Sequence, residues 1–246
     1  MSEGRIFVGV GGWSYAPWRG VFYPEGLAQK RELAHASRAL TSIEINATYY
    51  SAFKPATFAK WREETPAGFV FAVKASRFCT NRRNLAEAGE SVAKFLGQGL
   101  TALGDRLGPI NWQFMATKKF DAAEMKAFLA LLPRTLDGLP LRHALEARHP
   151  SFKDAAFHDL ARAHNAAIVF ADSDEFPEID EPTADFAYAR LMRSDAGVET
   201  GYAPAAIGKW AKRAKAWAAR GDAFVYFIAG AKERNPAAAE ALIARL

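Results

Sequence analysis

Residues 42–53 read SIEINATYYSAF. Ile43 and Ile45 alternate with Glu44 and Asn46, the period of two that marks a strand with one apolar and one polar face. A strand this short and β-branched belongs to a buried sheet, so the polar face needs a polar interior to point into. Similar runs recur on both sides. RIFVGV (5–10) precedes it, and FVFAVKA (69–75), INWQFM (110–115), RHALEA (142–147), AAIVFAD (166–172), FAYARLM (186–192) and AFVYFIA (223–229) follow. Helical periods lie between them. Val92, Phe95, Leu96, Leu100 and Leu103 share one face, and Met125, Phe128, Leu129 and Leu132 share another. Ile207, Trp210, Ala214 and Trp217 form a third stripe with Lys212, Arg213 and Lys215 outside it. Gly97 and Gly99 weaken the first of these helices. Eight strands alternating with helices predict an α/β fold, a TIM-barrel-like (β/α)8 closed parallel barrel, with a doubly wound open sheet as the alternative. No repeat, low-complexity tract or Gly/Ser linker interrupts 1–246, which reads as a single domain.

The bulk properties agree. Half of the 246 residues are hydrophobic, enough for a large core. The net charge of +5 admits nucleic acid or anionic ligands without demanding them. A lone cysteine, Cys79, leaves no partner for an internal disulfide. The N-terminal residues lack the pattern of a secretion signal, and no apolar run is long enough to span a bilayer. A cytoplasmic protein without membrane partners is the expectation. The stretch DSDEFPEIDEPTAD (172–185) is acidic and Pro-bearing, and reads as a loop with at most a short helix.

Parity then sorts the strand residues. Placing Ile43, Ile45, Phe71, Val73, Trp112, Phe114, Leu145 and Ala147 against helices turns Glu44, Asn46, Lys74, Gln113 and Glu146 inward, with Arg148 just beyond. Asp172 ends the sixth strand, Tyr188 and Arg190 share a face of the seventh, and Tyr226 is a candidate on the eighth. Most of these lie at or near carboxyl ends, where barrel active sites are built. The competing reading is a set of internal ion pairs, Glu44 with Lys74 and Glu146 with Arg148, filling one end of the barrel.

The segments VGVGGWSYAPWRGVFYPEG, SIEINATYYSAFKPATFAKW, FVFAVKASRFCTN, LGPINWQF, ALEARHPSF and DFAYARL, in this order, resemble the family called domain of unknown function 72. The resemblance covers nearly the whole chain. It implies a TIM-barrel-like single domain and no particular reaction. Its motifs fall on Gly12, Trp13, Tyr15, Trp18, Glu44, Asn46, Tyr50, Trp61, Lys74, Gln113, Glu146, Arg148, His149 and Arg190. The chain departs from the pattern at four places around the mouth. Asn81 follows Thr80 where the family has histidine, and Met115 and Ala116 replace two prolines. Met192 and Arg193 replace His-Gly, and FIAGAKERN replaces an Asn-containing end of the eighth strand.

Chemically, Lys74, Arg77, Arg148 and Arg190 outnumber Glu44, Glu146 and Asp172, which favours a small anionic ligand, phosphorylated or carboxylated. Glu44, Lys74 and Glu146 are the candidate acid–base or nucleophilic groups. Trp13, Tyr15, Asn46, Tyr50, Arg77, Gln113, Arg148, His149, Asp172 and Arg190 are the candidate ligand contacts, with the anion held by Lys74, Arg148 and Arg190. Core or lid packing is the alternative role for the aromatics. No H-x-H or H-E-x-x-H spacing suggests a metal, and no cofactor motif is present: GVGGWS departs from G-x-G-x-x-G. Nucleic-acid binding is admitted by the pI of about 9.3 but opposed by the dispersed basic residues and the acidic loop. A non-catalytic ligand-binding module is the remaining reading.

Overall fold

The computed structural model describes residues 4–246. In chain order the strands are β1 (Ile6–Gly11), β2 (Ser42–Ile45), β3 (Val70–Lys74), β4 (Leu107–Gln113), β5 (Thr135–Leu136), β6 (Leu139–Pro140), β7 (His143–Glu146), β8 (Ala166–Ile168), β9 (Phe170–Asp172), β10 (Phe186–Leu191) and β11 (Asp222–Phe227). The helices are α1 (Glu32–Ala39), α2 (Pro55–Glu64), α3 (Arg77–Thr80), α4 (Gly89–Leu96), α5 (Ala122–Ala130), α6 (Ala155–Ala163), α7 (Pro204–Ala218) and α8 (Asn235–Ile243). The β5–β6 pair is a small antiparallel hairpin. Asp137 and Gly138 at its tip both have positive φ, 49° and 80°, as a two-residue hairpin turn requires.

The other nine strands form one parallel sheet in the order β8-β7-β4-β3-β2-β1-β11-β10-β9. Its two ends are halves of one expected strand, the run 166–172. β8 pairs with β7 and β9 pairs with β10, so unbroken chain through Val169 closes the ring. The cause of the split is local. Thr183 Oγ1 accepts from the amide of Ile168 (3.1 Å) and donates to the carbonyl of Ala166 (2.7 Å), occupying the side of β8 that would otherwise pair with β10. The acidic stretch after β9 runs on without a helix.

Two apolar clusters result. Outward residues such as Ile43, Ile45, Phe71, Val73, Trp112, Phe114 and Leu145 pack under the helices. Phe7, Val70, Ala72, Ala144, Phe186, Tyr188, Phe224 and Tyr226 fill the barrel itself. At the amino-terminal end Phe7 stacks on Phe224 at 4.8 Å, and Arg142 lies over Phe224 while pairing with Asp222 at 2.7 Å. Asp121 and Asp154 cap α5 and α6 by accepting from the amides of Glu124 and Ala156, each at 2.8 Å. The stripe Val92–Leu103 is not one helix. α4 stops at Leu96, and a 3-10 segment entered through Gly99, with φ +99°, carries Leu100 and Leu103. Among the described residues no helix is long and apolar enough to cross a membrane.

Candidate functional site

Above the apolar filling, the inward positions turn polar. Glu44, Asn111, Gln113, Glu146, Arg190 and Lys74 come from β2, β4, β7, β10 and β3, and all are nearly buried. Arg190 is the hub. Its Nη1 donates to both oxygens of Glu146 (2.8 and 2.9 Å) and its Nη2 to Glu44 Oε1 (3.1 Å). Glu146 also accepts from Arg148 Nε (2.9 Å), Gln113 Nε2 (2.8 Å) and Asn111 Nδ2 (3.0 Å). Tyr188 donates to Glu44 Oε2 at 2.5 Å.

The electrostatics separate two of the three candidate acid–base groups, Glu146 and Lys74. Burial alone would raise the Glu146 carboxyl, but Arg190, then Arg148 and Lys74, and the Asn111 amide hold it well below the usual carboxylate range. Glu146 is thereby fixed as an anion that positions two guanidinium groups, a poor proton carrier at neutral pH. Burial raises the Tyr188 hydroxyl, and Glu44 raises it further.

Lys74 differs from its neighbours. The residue is 8% exposed and its Nζ lies 4.3 Å from the centre of the Tyr49 ring. Among the described residues no protein group accepts a hydrogen bond from that amine, and no carboxylate forms an ion pair with it. Burial, and next the charge of Arg190, bring it down to about 8 against the pull of Glu146 and Glu44. Two polar atoms of the cluster are buried without a partner, Asn111 Oδ1 and Arg190 Nε. A core filled only for stability rarely leaves such atoms unpaired, because each costs about 1–3 kcal/mol.

Of the sequence candidates, Glu44, Gln113, Glu146, Arg148 and Arg190 meet in this network, and Lys74 stands beside it. The pairing of Glu44 with Lys74 is not made: Glu44 pairs with Arg190. Asn46 is at its edge, with Nδ2 3.4 Å from the Glu44 carbonyl. The others lie apart. Trp13 packs edge-on to Trp61 (5.2 Å) and against the outward Phe71, in the helix layer. Tyr15 packs against the outer core, with Lys232 Nζ 4.2 Å from its ring. Tyr50 is 64% exposed, and Arg77 is exposed over the Phe78 ring. His149 caps the Pro150–Phe152 turn by accepting from the Ser151 amide. Asp172 registers with the outward Leu191, so it faces the helix layer, bonded to the Tyr202 hydroxyl (3.0 Å) and Arg193 (3.1 Å). Its removal leaves two carboxylates in the cluster, and both are bound to arginine. Cys79 is buried, with its thiol pushed up to about 12 by burial.

Asn111 escaped the sequence reading although it shares the parity of Gln113. Nothing local in the sequence marks Tyr49 as the ring beneath Lys74. Among the described residues no group of three or more His, Cys, Asp or Glu side chains is arranged to hold a metal ion.

The family model described as "Protein of unknown function DUF72" matches residues 7–246. A DUF72 family protein from Thermotoga maritima is similar in structure, with TM-score 0.75 at 23% identity, over 97% of each chain. One from Enterococcus faecalis gives 0.72 at 15% identity, over 99% of this chain and 98% of that one. D-psicose 3-epimerase, solved in the presence of D-fructose, shares the barrel fold alone, with TM-score 0.51 at 11% identity over 94% of this chain and 89% of its own. No curated protein matches the chain. With that model spanning all but the first six residues, the chain belongs to the DUF72 family of proteins of unknown function.

Proposed function

We propose that the barrel mouth binds a small phosphorylated or carboxylated molecule and acts on it by proton transfer, with Lys74 as the group that meets the anion. The observation that carries this reading is the unpartnered, nearly buried Lys74 amine. Counted together, Lys74, Arg148 and Arg190 exceed Glu44 and Glu146 by one positive charge, and Lys74 is the cation without an ion pair. Arg148, only partly buried, keeps its Nη1 outside the contacts with Glu146. It supplies a second donor to an anion, each charge-assisted bond contributing about 1.5–3 kcal/mol. Arg190 acts indirectly here, by lowering the proton affinity of Lys74. An amine with a proton affinity near neutral pH is suited to give and take a proton during turnover.

Thermal-shift titration with phosphate, sulfate and sugar phosphates tests the binding. Millimolar phosphate should stabilise the wild type, by about 2.7 kcal/mol at a hundredfold excess over Kd. Lys74→Met should fold and lose that response. A wild type indifferent to every one of these anions contradicts the reading.

A further inference from the structure

We propose that Lys74 forms an imine with the carbonyl carbon of an anionic aldehyde or ketone, a 2-oxo acid or a phosphorylated sugar in its open-chain form. This rests on the anion site proposed above and names the class of molecule that enters it. Three features of the geometry point the same way. The Lys74 nitrogen is held by no acceptor in the protein, so its lone pair, once the proton is gone, is engaged by no neighbouring group. Every other cation of the cluster is tied to a carboxylate: Arg190 to Glu44 and Glu146, Arg148 to Glu146. The Tyr49 ring lies 4.3 Å beneath the nitrogen and is itself fixed by Asn81 Nδ2, 2.9 Å from its hydroxyl. A π face at that distance favours a cationic nitrogen and offers a flat wall for a planar C=N group.

The departures from the family motif bear on the same spot. Asn81, which stands where the family resemblance expects histidine, holds Tyr49 in place instead of offering an imidazole. The depressed proton affinity of Lys74 supplies the neutral amine near neutral pH without a dedicated base. In the step itself, the neutral amine attacks the carbonyl carbon and the C–N bond forms as the C=O π pair moves to oxygen. One proton passes from nitrogen to that oxygen and a second comes from solvent. Water leaves, and a protonated imine remains. Arg148 Nη1, outside the Glu146 contacts, is placed to hold the carboxylate or phosphate of the same molecule.

The test is reductive trapping on the intact protein. Pyruvate and glyceraldehyde 3-phosphate are the anionic probes, and acetone is the uncharged control. Sodium cyanoborohydride converts an imine to a stable secondary amine, adding the mass of the carbonyl compound less one oxygen. Peptide mapping should place the adduct on Lys74, formed roughly tenfold or more faster than on any other lysine, and phosphate should suppress it. Lys74→Arg, matched to wild type in thermal stability, should lose that adduct. Adducts spread evenly over the lysines, or unchanged in Lys74→Arg, overturn the proposal. If Lys74 takes no adduct while phosphate still stabilises the protein through Lys74, imine formation is overturned and the anion site stands. If both responses are missing, the two readings fall together.

Discussion

Arg190 sits between two buried carboxylates, and its removal leaves Glu44 without an ion pair and Glu146 with Arg148 alone. The sequence reading made it a mouth residue free to hold an anion; the structure commits two of its three nitrogens to Glu44 and Glu146 and buries the third. Arg190→Ala should therefore destabilise the fold by about 3–5 kcal/mol, the usual cost of leaving a buried charge unpaired. Urea unfolding at neutral pH measures this. The pH dependence follows from Glu146. Its carboxyl is held far below the ordinary value of 4.5, so its stabilisation is present above 4.5 and is lost progressively as pH falls below it. Wild-type stability should decline on acidification through that region. Arg190→Ala, lacking the main cause of the shift, should decline less. An equal acid slope in the two proteins would show that Glu146 does not draw its low proton affinity from Arg190.

At the scale of elements, strand β1 tolerates no side chain on its inward face at Gly9. A Cβ there would stand 1.8 Å from the Ser42 carbonyl oxygen, a backbone atom of β2 that cannot yield without shifting a ladder. Gly9→Ala should cost several kcal/mol and lower the thermal midpoint by roughly ten degrees or more, and calorimetry checks it. A variant within a degree of wild type would mean that β1 and β2 adjust freely. The strands were legible because parallel barrel strands combine β-branched runs with strict parity. Ile43, Phe71, Trp112 and Leu145 all face the helices as alternation requires. The helix stripe over 92–103 misled because Gly99 reverses the backbone while the apolar residues keep their spacing. Asp172 misled for a related reason. Parity from Phe170 would have turned it outward, but its place at the strand end drew it into the mouth. The β5–β6 hairpin had a signal, the Asp137–Gly138 pair, in a stretch too short to show alternation.

Across the whole molecule the barrel is graded from one end to the other. Phe7, Phe186 and Phe224 fill the amino-terminal end, Tyr188 and Tyr226 the middle, and the charged network the mouth. Closure depends on one run of chain serving two neighbours, with Thr183 covering the gap. Strand number and direction were readable at a distance, but which polar side chains would pair was not. Parity says that Glu44, Lys74 and Arg190 share an interior. Only the registers say that Arg190 reaches both glutamates and leaves Lys74 aside. The proposed working group of the mouth is this leftover amine. NMR titration of the lysine ε-amines, with Lys74→Met identifying the Lys74 signal, tests it most directly. Lys74 should titrate near pH 8 rather than at its ordinary 10.5. Phosphate should move that midpoint upward, because a bound anion favours the charged form. A Lys74 signal that titrates with the other lysines, or one that ignores phosphate, would contradict the account.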